Sequence, residues 1–333
     1  MNLSLNPVLG REVKERFRSR RAPVFVTIWV LGVGLIGYLV YLLAQLVAES
    51  AFGFGQAIAG GFMGKFIFES MLALLMTAVV MIVPGLSALS IVGERERQTF
   101  QLLQVTQLSP LQIVLGKLWS SMSYFLLLLA SVAPVVALPL LFGGVRLGDV
   151  VVGLGMVMLT AVTLGSIGIW GSSRARSSRG AVATAYTWSF IIAFITFAAM
   201  GAELLFIHGD DPFPARGREV ISILPNPYVG MVSAVVAPLG SDGAVWQTPF
   251  DPVEALLMER QGFSNDFGVG VGVGGGILPA DGAQALPLRR PPVWMFTVGL
   301  YVLITLLTLR GAAARVTAPA ARIRPLRGRN GSS

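Results

Sequence analysis

The chain has 333 residues, of which 54% are hydrophobic and 13% are charged, and its net charge is +8. A soluble domain carries about 25% charged residues, so we expect lipid rather than water to surround most of this chain. The sequence contains no cysteine and a single histidine. This composition excludes disulfide bonds and thiolate metal sites, and it leaves no ligand cluster for zinc or haem.

Uninterrupted apolar runs indicate the fold class. A helix rises about 1.5 Å per residue, so roughly 20 apolar residues cross a hydrocarbon core about 30 Å thick. The first run follows basic residues, as a signal peptide would, but its length of about 25 residues exceeds the 7–15 of a signal h-region. We therefore predict an all-α polytopic membrane protein. Its six transmembrane helices are predicted at 23–47, 66–92, 118–142, 150–171, 181–207 and 293–309, within a transmembrane domain of residues 23–312.

The distribution of basic residues predicts the orientation. On one side of the membrane, the short loops carry only Lys65 and Arg146, whereas most other lysines and arginines flank the opposite ends of the spans. The positive-inside rule then places both termini in the cytoplasm of an inner or plasma membrane, as an even number of spans requires. This bias explains the net charge better than nucleic-acid binding does, because no compact basic domain is present.

Residues 1–22 are predicted to form an amphipathic interfacial helix. Leu9, Val13 and Phe17 are spaced by four and share one face, while basic residues occupy much of the remaining circumference. Such a helix suits a membrane surface, with its apolar edge in the acyl boundary and its cations among lipid headgroups. The alternative is a solvated helix that serves only topology.

Residues 208–292 are predicted to form an external loop with short helices. The run "PNPYVGMVSAVVAPLG" is too short to span and suits a re-entrant or interfacial helix, and Asp251 could cap a second helix. The glycines of "FGVGVGVGGGILP" lack the helix that a nucleotide-binding fingerprint requires after them, so they indicate a flexible loop. Residues 313–333 are predicted to form a disordered basic cytoplasmic tail.

Polar and helix-breaking residues are scarce within the spans. Pro84 and Gly85 interrupt the second span, either as a hinge or as a proline that a membrane helix tolerates. Glu69 and Glu203 lie near the outer ends of their spans and are predicted as interfacial carboxylates, with Lys65 as the candidate counterion of Glu69. The scarcity of midplane carboxylates argues against proton- or sodium-coupled transport.

Nothing in the sequence indicates an enzyme. Neither Gly64-Lys65 nor Gly116-Lys117 is preceded by the glycine that a P-loop requires, and no catalytic constellation is present. The chain is therefore expected to hold no cofactor itself. If ATP powers it, another chain binds the nucleotide.

The cytoplasmic segment 93–117, between the second and third spans, is unusually polar. Thr99 could cap a short helix with Phe100 and Leu103 on one face and Leu102 beside them. Ser109 and Pro110 would then begin the next helix. A helix lying on the bilayer is the alternative, but its many amides and paired charges suit a protein groove better than lipid.

In this segment the sequence resembles the membrane subunits of the ABC-2 family of ATP-binding-cassette transporters. The family typically shows a proline in the second span, a Glu-Arg-Glu run, a Gly/Arg-Thr-Leu-Glu-x-Leu-Leu stretch, a Thr-Pro-Leu-Ser or similar turn, and a Gly-Lys pair that opens the third span. Two positions depart from the family pattern, Phe100 replacing leucine and Gln101 replacing glutamate. The matching positions here are Pro84, Glu94-Arg95-Glu96, Gln98–Leu103, Thr106–Pro110 and Gly116-Lys117.

The resemblance implies that the chain is a permease subunit, and we expect it to belong to a bacterial exporter. Two such six-span subunits, identical or paralogous, would each rest on a separate ATPase subunit that binds ATP and Mg, with lipids around them. The Thr99–Val105 helix would be the coupling helix inserted into that ATPase. The alternatives are an ATP-independent secondary transporter or channel, or an ABC-coupled scaffold or signalling subunit that moves no substrate. The implied coupling residues are Glu94, Arg95, Glu96, Thr99, Phe100, Leu102, Leu103, Ser109, Pro110 and Lys117.

Overall fold

A computed structural model describes residues 21–52, 56–98, 109–208, 221–235 and 293–316. Within these ranges the chain forms helices and no β-strand, and six helices are long and apolar enough to cross a membrane. The expectation of an all-α, six-span protein is confirmed at this level. Several predicted features lie outside the described residues: the interfacial helix with Leu9, Val13 and Phe17, the coupling residues Thr99, Phe100, Leu102 and Leu103, the helix beginning near Asp251, and the last 17 residues of the tail.

The helix bounds differ from the predicted spans in both directions. The last helix continues to Val316, past the predicted span 293–309 and into the predicted tail, and both Ala312 and Val316 are buried. The second spanning helix begins before the predicted span 66–92 and also ends earlier than predicted, at Ala88. The elements are α1 Arg21–Phe52, α2 Gln56–Ala88, α3 Val92–Glu96, α4 Pro110–Ala137 with a 3₁₀ turn Leu138–Leu141, α5 Leu147–Arg174, α6 Ser178–Phe190, a π-helical segment Ile191–Ile195, α7 Thr196–His208, a 3₁₀ turn Ile221–Ile223, α8 Pro227–Val235 and α9 Val293–Val316.

Helix α5 is at the centre of the bundle and contacts α2, α4, α6, α8 and α9. In its most apolar stretch 61% of the residues are buried, against 6% in α1. Glycines make this close packing possible, because lipid gives apolar helices no reason to associate unless their surfaces fit closely. A Cβ at Gly153 would come within 2.6 Å of Leu72, and one at Gly165 within 2.8 Å of Met122.

Hydroxyl groups connect α5 with α9. The Ser166 and Thr308 hydroxyls are 2.8 Å apart, and Thr305 donates to the Thr163 hydroxyl at 3.2 Å. The residue numbers of both helices increase along these contacts, so α5 and α9 run in the same direction. The hydroxyls of Thr163, Ser166 and Thr308 also donate to carbonyls of their own helices, which satisfies these donors inside the apolar bundle.

Helix α8 lies in the apolar run that predicted a re-entrant or interfacial helix, and it is buried against α5 and α9. The Asn226 side chain accepts hydrogen bonds from the first N–H groups of α8 and donates to Thr196 Oγ1 at 2.8 Å. From the other side, the Tyr228 hydroxyl is 2.9 Å from the Thr77 hydroxyl of α2, and burial raises the pKa of Tyr228. Polar contacts to two neighbouring elements therefore fix this short helix.

Two carboxylates that the sequence predicts at membrane interfaces contact polar neighbours. Glu69 is 2% exposed, and its carboxylate is 3.6 Å from the ammonium of Lys65, the counterion that the sequence suggested. Glu203 accepts hydrogen bonds from the N–H and the hydroxyl of Ser222, which attaches the 3₁₀ turn to α7. Both carboxylates thus contribute to packing at the end of the bundle that carries Gly143 and Gly144.

The contact between α5 and α2 at Gly168 can be tested by adding one methyl group. A Cβ there would overlap the Ser87 hydroxyl, which already bonds to the Val83 carbonyl. We expect Gly168→Ala to lower the free energy of unfolding by about 1–3 kcal/mol relative to Gly155→Ala. At the exposed Gly155 a Cβ meets nothing within 4 Å in the described part of the chain, so this variant cancels the change in helix propensity. Equal thermal unfolding of the two variants in detergent would contradict the prediction.

Candidate functional site

The candidate site begins where α2 gives way to α3. After Ala88 the chain turns, and the backbone N–H groups of Ile91 and Val92 donate to the Ser172 hydroxyl at 3.1 and 2.9 Å. These N–H groups belong to the first turn of α3, which has no intrahelical acceptor for them. Ser172 of α5 therefore caps α3 from a different part of the chain.

Glu94 of α3 forms a salt bridge with Lys117 of α4. Lys117 is only 5% exposed, and a buried ammonium is costly unless an opposite charge lies beside it. Glu94 supplies that charge from 23 residues earlier in the sequence. The first turns of α4 are thereby held against α3.

The next two residues bind α5 and α6. Arg95 Nη1 donates to the Ser173 carbonyl at 2.9 Å, at the end of α5 where carbonyls lack intrahelical partners. The Glu96 carboxylate accepts from the N–H of Ser178 at 2.7 Å and from its hydroxyl, at the start of α6 where a negative charge is favoured. We use the name ERE junction for Glu94, Arg95 and Glu96 together with Lys117, Ser172, Ser173 and Ser178. It joins α3 to α4, α5 and α6.

The structure describes the residues on both sides of the predicted coupling helix. Gln98 has φ +59°, in the left-handed region that non-glycine residues rarely occupy, and it follows the end of α3. At the other side, the Ser109 hydroxyl accepts from the Gln112 N–H while the Gln112 side chain accepts from the Ser109 N–H. This capping box places Ser109 at the N-cap and Pro110 at the first position of α4, as the sequence predicted.

Helix α2 continues through Pro84 to Ala88. A side chain from α6 contacts α2 beside this proline. The Tyr186 hydroxyl donates to the Met81 carbonyl at 2.7 Å. A Cβ at Gly85 would lie 2.8 Å from that hydroxyl oxygen, so glycine leaves the space that Tyr186 occupies. The candidate hinge is therefore in contact with the helix whose first turn binds Glu96.

Two apolar grooves lie beside the candidate hinge. One has a volume of about 580 Å³ and separates α2 from α6 and the π-helical segment, with Tyr186 and Phe190 in its wall. The other, of about 290 Å³, lies between α1 and α2, and Met81 contributes to both. In the described ranges, no group of three or more His, Asp or Glu side chains could hold a metal ion. The residues that line both grooves are mostly apolar.

Among the sequence-predicted residues that the structure describes, Glu94, Arg95, Glu96 and Lys117 belong to the junction. Gly85 lies beside Tyr186 and next to Pro84 in α2, and Ser109 and Pro110 begin α4. Sequence reasoning missed the partners Ser172, Ser173, Ser178 and Tyr186. One signal was available, because the orientation rule already placed the serine-rich run "GSSRARSSRG" on the same side as the Glu-Arg-Glu run.

No protein-family model matches this chain, and no curated protein sequence matches it. The resemblance to a transporter family therefore depends on the motif between Pro84 and Lys117. The contacts of the ERE junction stand independently of that resemblance.

The Glu94–Lys117 pair can be tested by a double-mutant cycle. Glu94→Gln leaves the buried Lys117 charge without its carboxylate, so we expect a loss of about 3 kcal/mol in the free energy of unfolding. Lys117→Met should cost less, because the Glu94 side chain is 23% exposed and water can hydrate it. The double variant should resemble Lys117→Met alone. Thermal unfolding in detergent measures the stability of the wild type, of both single variants and of the double variant.

The control is Arg97→Ala, since the exposed Arg97 side chain forms no ion pair within the described residues. It should change stability by less than about 0.5 kcal/mol. Additive effects of the two junction substitutions would show that Glu94 and Lys117 do not interact.

The contact at the candidate hinge is tested by a second cycle. Gly85→Ala pushes a methyl group toward the Tyr186 hydroxyl, whereas Tyr186→Phe removes that oxygen. We expect Gly85→Ala to be less destabilising by about 1 kcal/mol in the Tyr186→Phe background than in the wild type. Identical effects in both backgrounds, measured by thermal unfolding, would place Tyr186 away from Gly85.

Proposed function

We propose that this chain is the membrane-spanning subunit of an ABC-2 type transporter, most simply an exporter in a bacterial inner membrane with both termini in the cytoplasm. A separate subunit would bind ATP and Mg and hydrolyse the nucleotide. The single observation that carries the proposal is the ERE junction. It connects four helix ends directly before the segment that the family resemblance assigns to ATPase coupling.

The energies support transmission through this junction. Burial of Phe100 and Leu103 in a groove of the ATPase would contribute about 1.5–3 kcal/mol per side chain. Separating a buried ion pair such as Glu94–Lys117 costs about 3–5 kcal/mol. The two contacts are thus of similar strength, and a force on the coupling segment would displace α3 and the start of α4 as one unit. The Ser173 and Ser178 contacts would carry the same displacement to α5 and α6.

Motion of this unit would change the grooves beside Met81. Pro84 removes one backbone hydrogen bond from α2, so the segment after it bends more easily than an uninterrupted helix. The groove between α2 and α6 would widen or narrow as Tyr186 moves with α6. Its apolar walls favour a lipid-like or amphiphilic cargo, with a second copy or a paralogue supplying the facing wall.

The test purifies the full chain from the membranes of its own cells and searches for the P-loop ATPase that the proposal expects to bind it. We expect the two proteins to purify together and the complex to hydrolyse ATP in liposomes. Phe100→Asp should weaken the complex about tenfold or more because it places a charge in an apolar groove. Glu96→Ala should leave the complex assembled but lower its ATP hydrolysis, because α6 is then released from the junction.

Leu141→Asp is the matched control, since Leu141 is exposed at the opposite end of the bundle. If Phe100→Asp and Glu96→Ala behave like this control, the coupling assignment is wrong. Flux of a labelled amphiphile driven by an ion gradient without the ATPase would instead identify a secondary transporter. ATP hydrolysis without flux of any tested cargo would favour a scaffold or signalling role.

A further inference from the structure

A surface along α5 and α9, at the end of the bundle that carries the ERE junction, combines exposed leucines, an indole ring and two arginines. Trp170 of α5 packs against Gly311 of α9, where a Cβ would come within 3.0 Å of the indole Cδ1 and Nε1 atoms. Glycine at this position lets the indole ring lie against the α9 backbone. In the described residues the indole N–H donates no hydrogen bond, so it is available to an acceptor.

One helical turn beyond this contact, each helix carries an arginine. Arg174 follows Trp170 by four residues, and its guanidinium lies 4.6 Å from the centre of the indole ring. Arg315 follows Gly311 by four residues and therefore lies near the same face of α9. Because α5 and α9 run in the same direction, both arginines are at the same level of the bundle. Both are exposed.

Neither arginine is neutralised by the carboxylates at this end of the bundle. Glu94 pairs with Lys117, and Glu96 binds Ser178. Arg174 and Arg315 form no ion pair within the described ranges. Two exposed guanidinium groups and the indole N–H therefore lie near the same level of α5 and α9 and supply donors that suit phosphate oxygens.

The opposite direction along α9 is apolar and open. Leu303 and Leu307 precede Gly311 at intervals of four residues, and they are 52% and 59% exposed. From Leu303 to Arg315 the helix rises about 18 Å, which is close to the depth of one leaflet with its headgroups. The surface thus changes along its length from exposed leucines through an aromatic ring to two cations.

We propose that this surface, defined by Leu303, Leu307, Trp170, Arg174 and Arg315, binds one anionic phospholipid. The acyl chains lie along the two leucines, and the phosphate accepts hydrogen bonds from both guanidinium groups and from the indole N–H. The inference needs only the six membrane-spanning helices and does not depend on the proposed transport function. Recognition requires the negative headgroup and the apolar chains together, so zwitterionic lipids and water-soluble anions should bind poorly.

The experiment is native mass spectrometry of the full chain in neutral detergent, titrated with phosphatidylglycerol or with phosphatidylcholine. We expect one phosphatidylglycerol to bind in preference to phosphatidylcholine. Arg174→Gln combined with Arg315→Gln should weaken phosphatidylglycerol binding about 10- to 30-fold and leave phosphatidylcholine binding unchanged. Trp170→Phe keeps an aromatic ring but loses the N–H, so it should weaken binding about 2- to 10-fold.

The matched control is Arg176→Gln combined with Arg179→Gln, which removes the same charge from exposed positions at the same end of the bundle. It should change the affinity by less than about threefold. An equal loss in this control would show a general charge effect and overturn the proposal. So would unchanged binding by the Arg174 and Arg315 variant. Displacement of the lipid by millimolar inorganic phosphate would show that the acyl chains contribute nothing, which also overturns it.

Discussion

The close approach of other helices to α5 is the constraint on which the structure depends. In water, apolar side chains would drive helices together, but lipid is itself apolar, so contact must come from fit and from hydrogen bonds. Gly153 and Gly168 provide that fit toward α2, and Gly165 provides it toward α4. Hydroxyls such as Thr163 and Ser166 add bonds to α9. Because five elements contact this one helix, a displacement at its end affects most of the bundle.

The ERE junction adds a second constraint at that end. Every partner of the three junction side chains is either a buried charge or a helix terminus with unsatisfied backbone groups. Lys117 needs a counterion because it is buried, Ser173 offers a terminal carbonyl, and Ser178 offers a terminal N–H. The polar segment that interrupts the apolar sequence thus satisfies groups on three other helices. It also provides a rigid base for the residues that follow Gln98.

Helix α2 contains a proline, and a tyrosine of α6 contacts the backbone beside it. The helix continues through Pro84, as tolerance in a membrane helix would allow, while Gly85 beside it leaves space for Tyr186. A hydroxyl bound to the Met81 carbonyl restrains the interrupted region without adding a backbone bond. The same restraint connects the region to α6, whose first turn Glu96 binds. The continuous helix agrees with a tolerated proline, and the hinge stays a prediction.

The sequence alone determined the all-α class, the six spans and the polar character of the segment from Glu94 to Lys117. Hydropathy reports the transfer of each segment from water to lipid, and that free energy depends on local composition. Only the tertiary structure decided that Ser172 caps α3, that Glu69 is buried, and that Trp170 meets Gly311 beside two arginines. Those outcomes depend on contacts between residues far apart in the chain, whose distances no local pattern specifies.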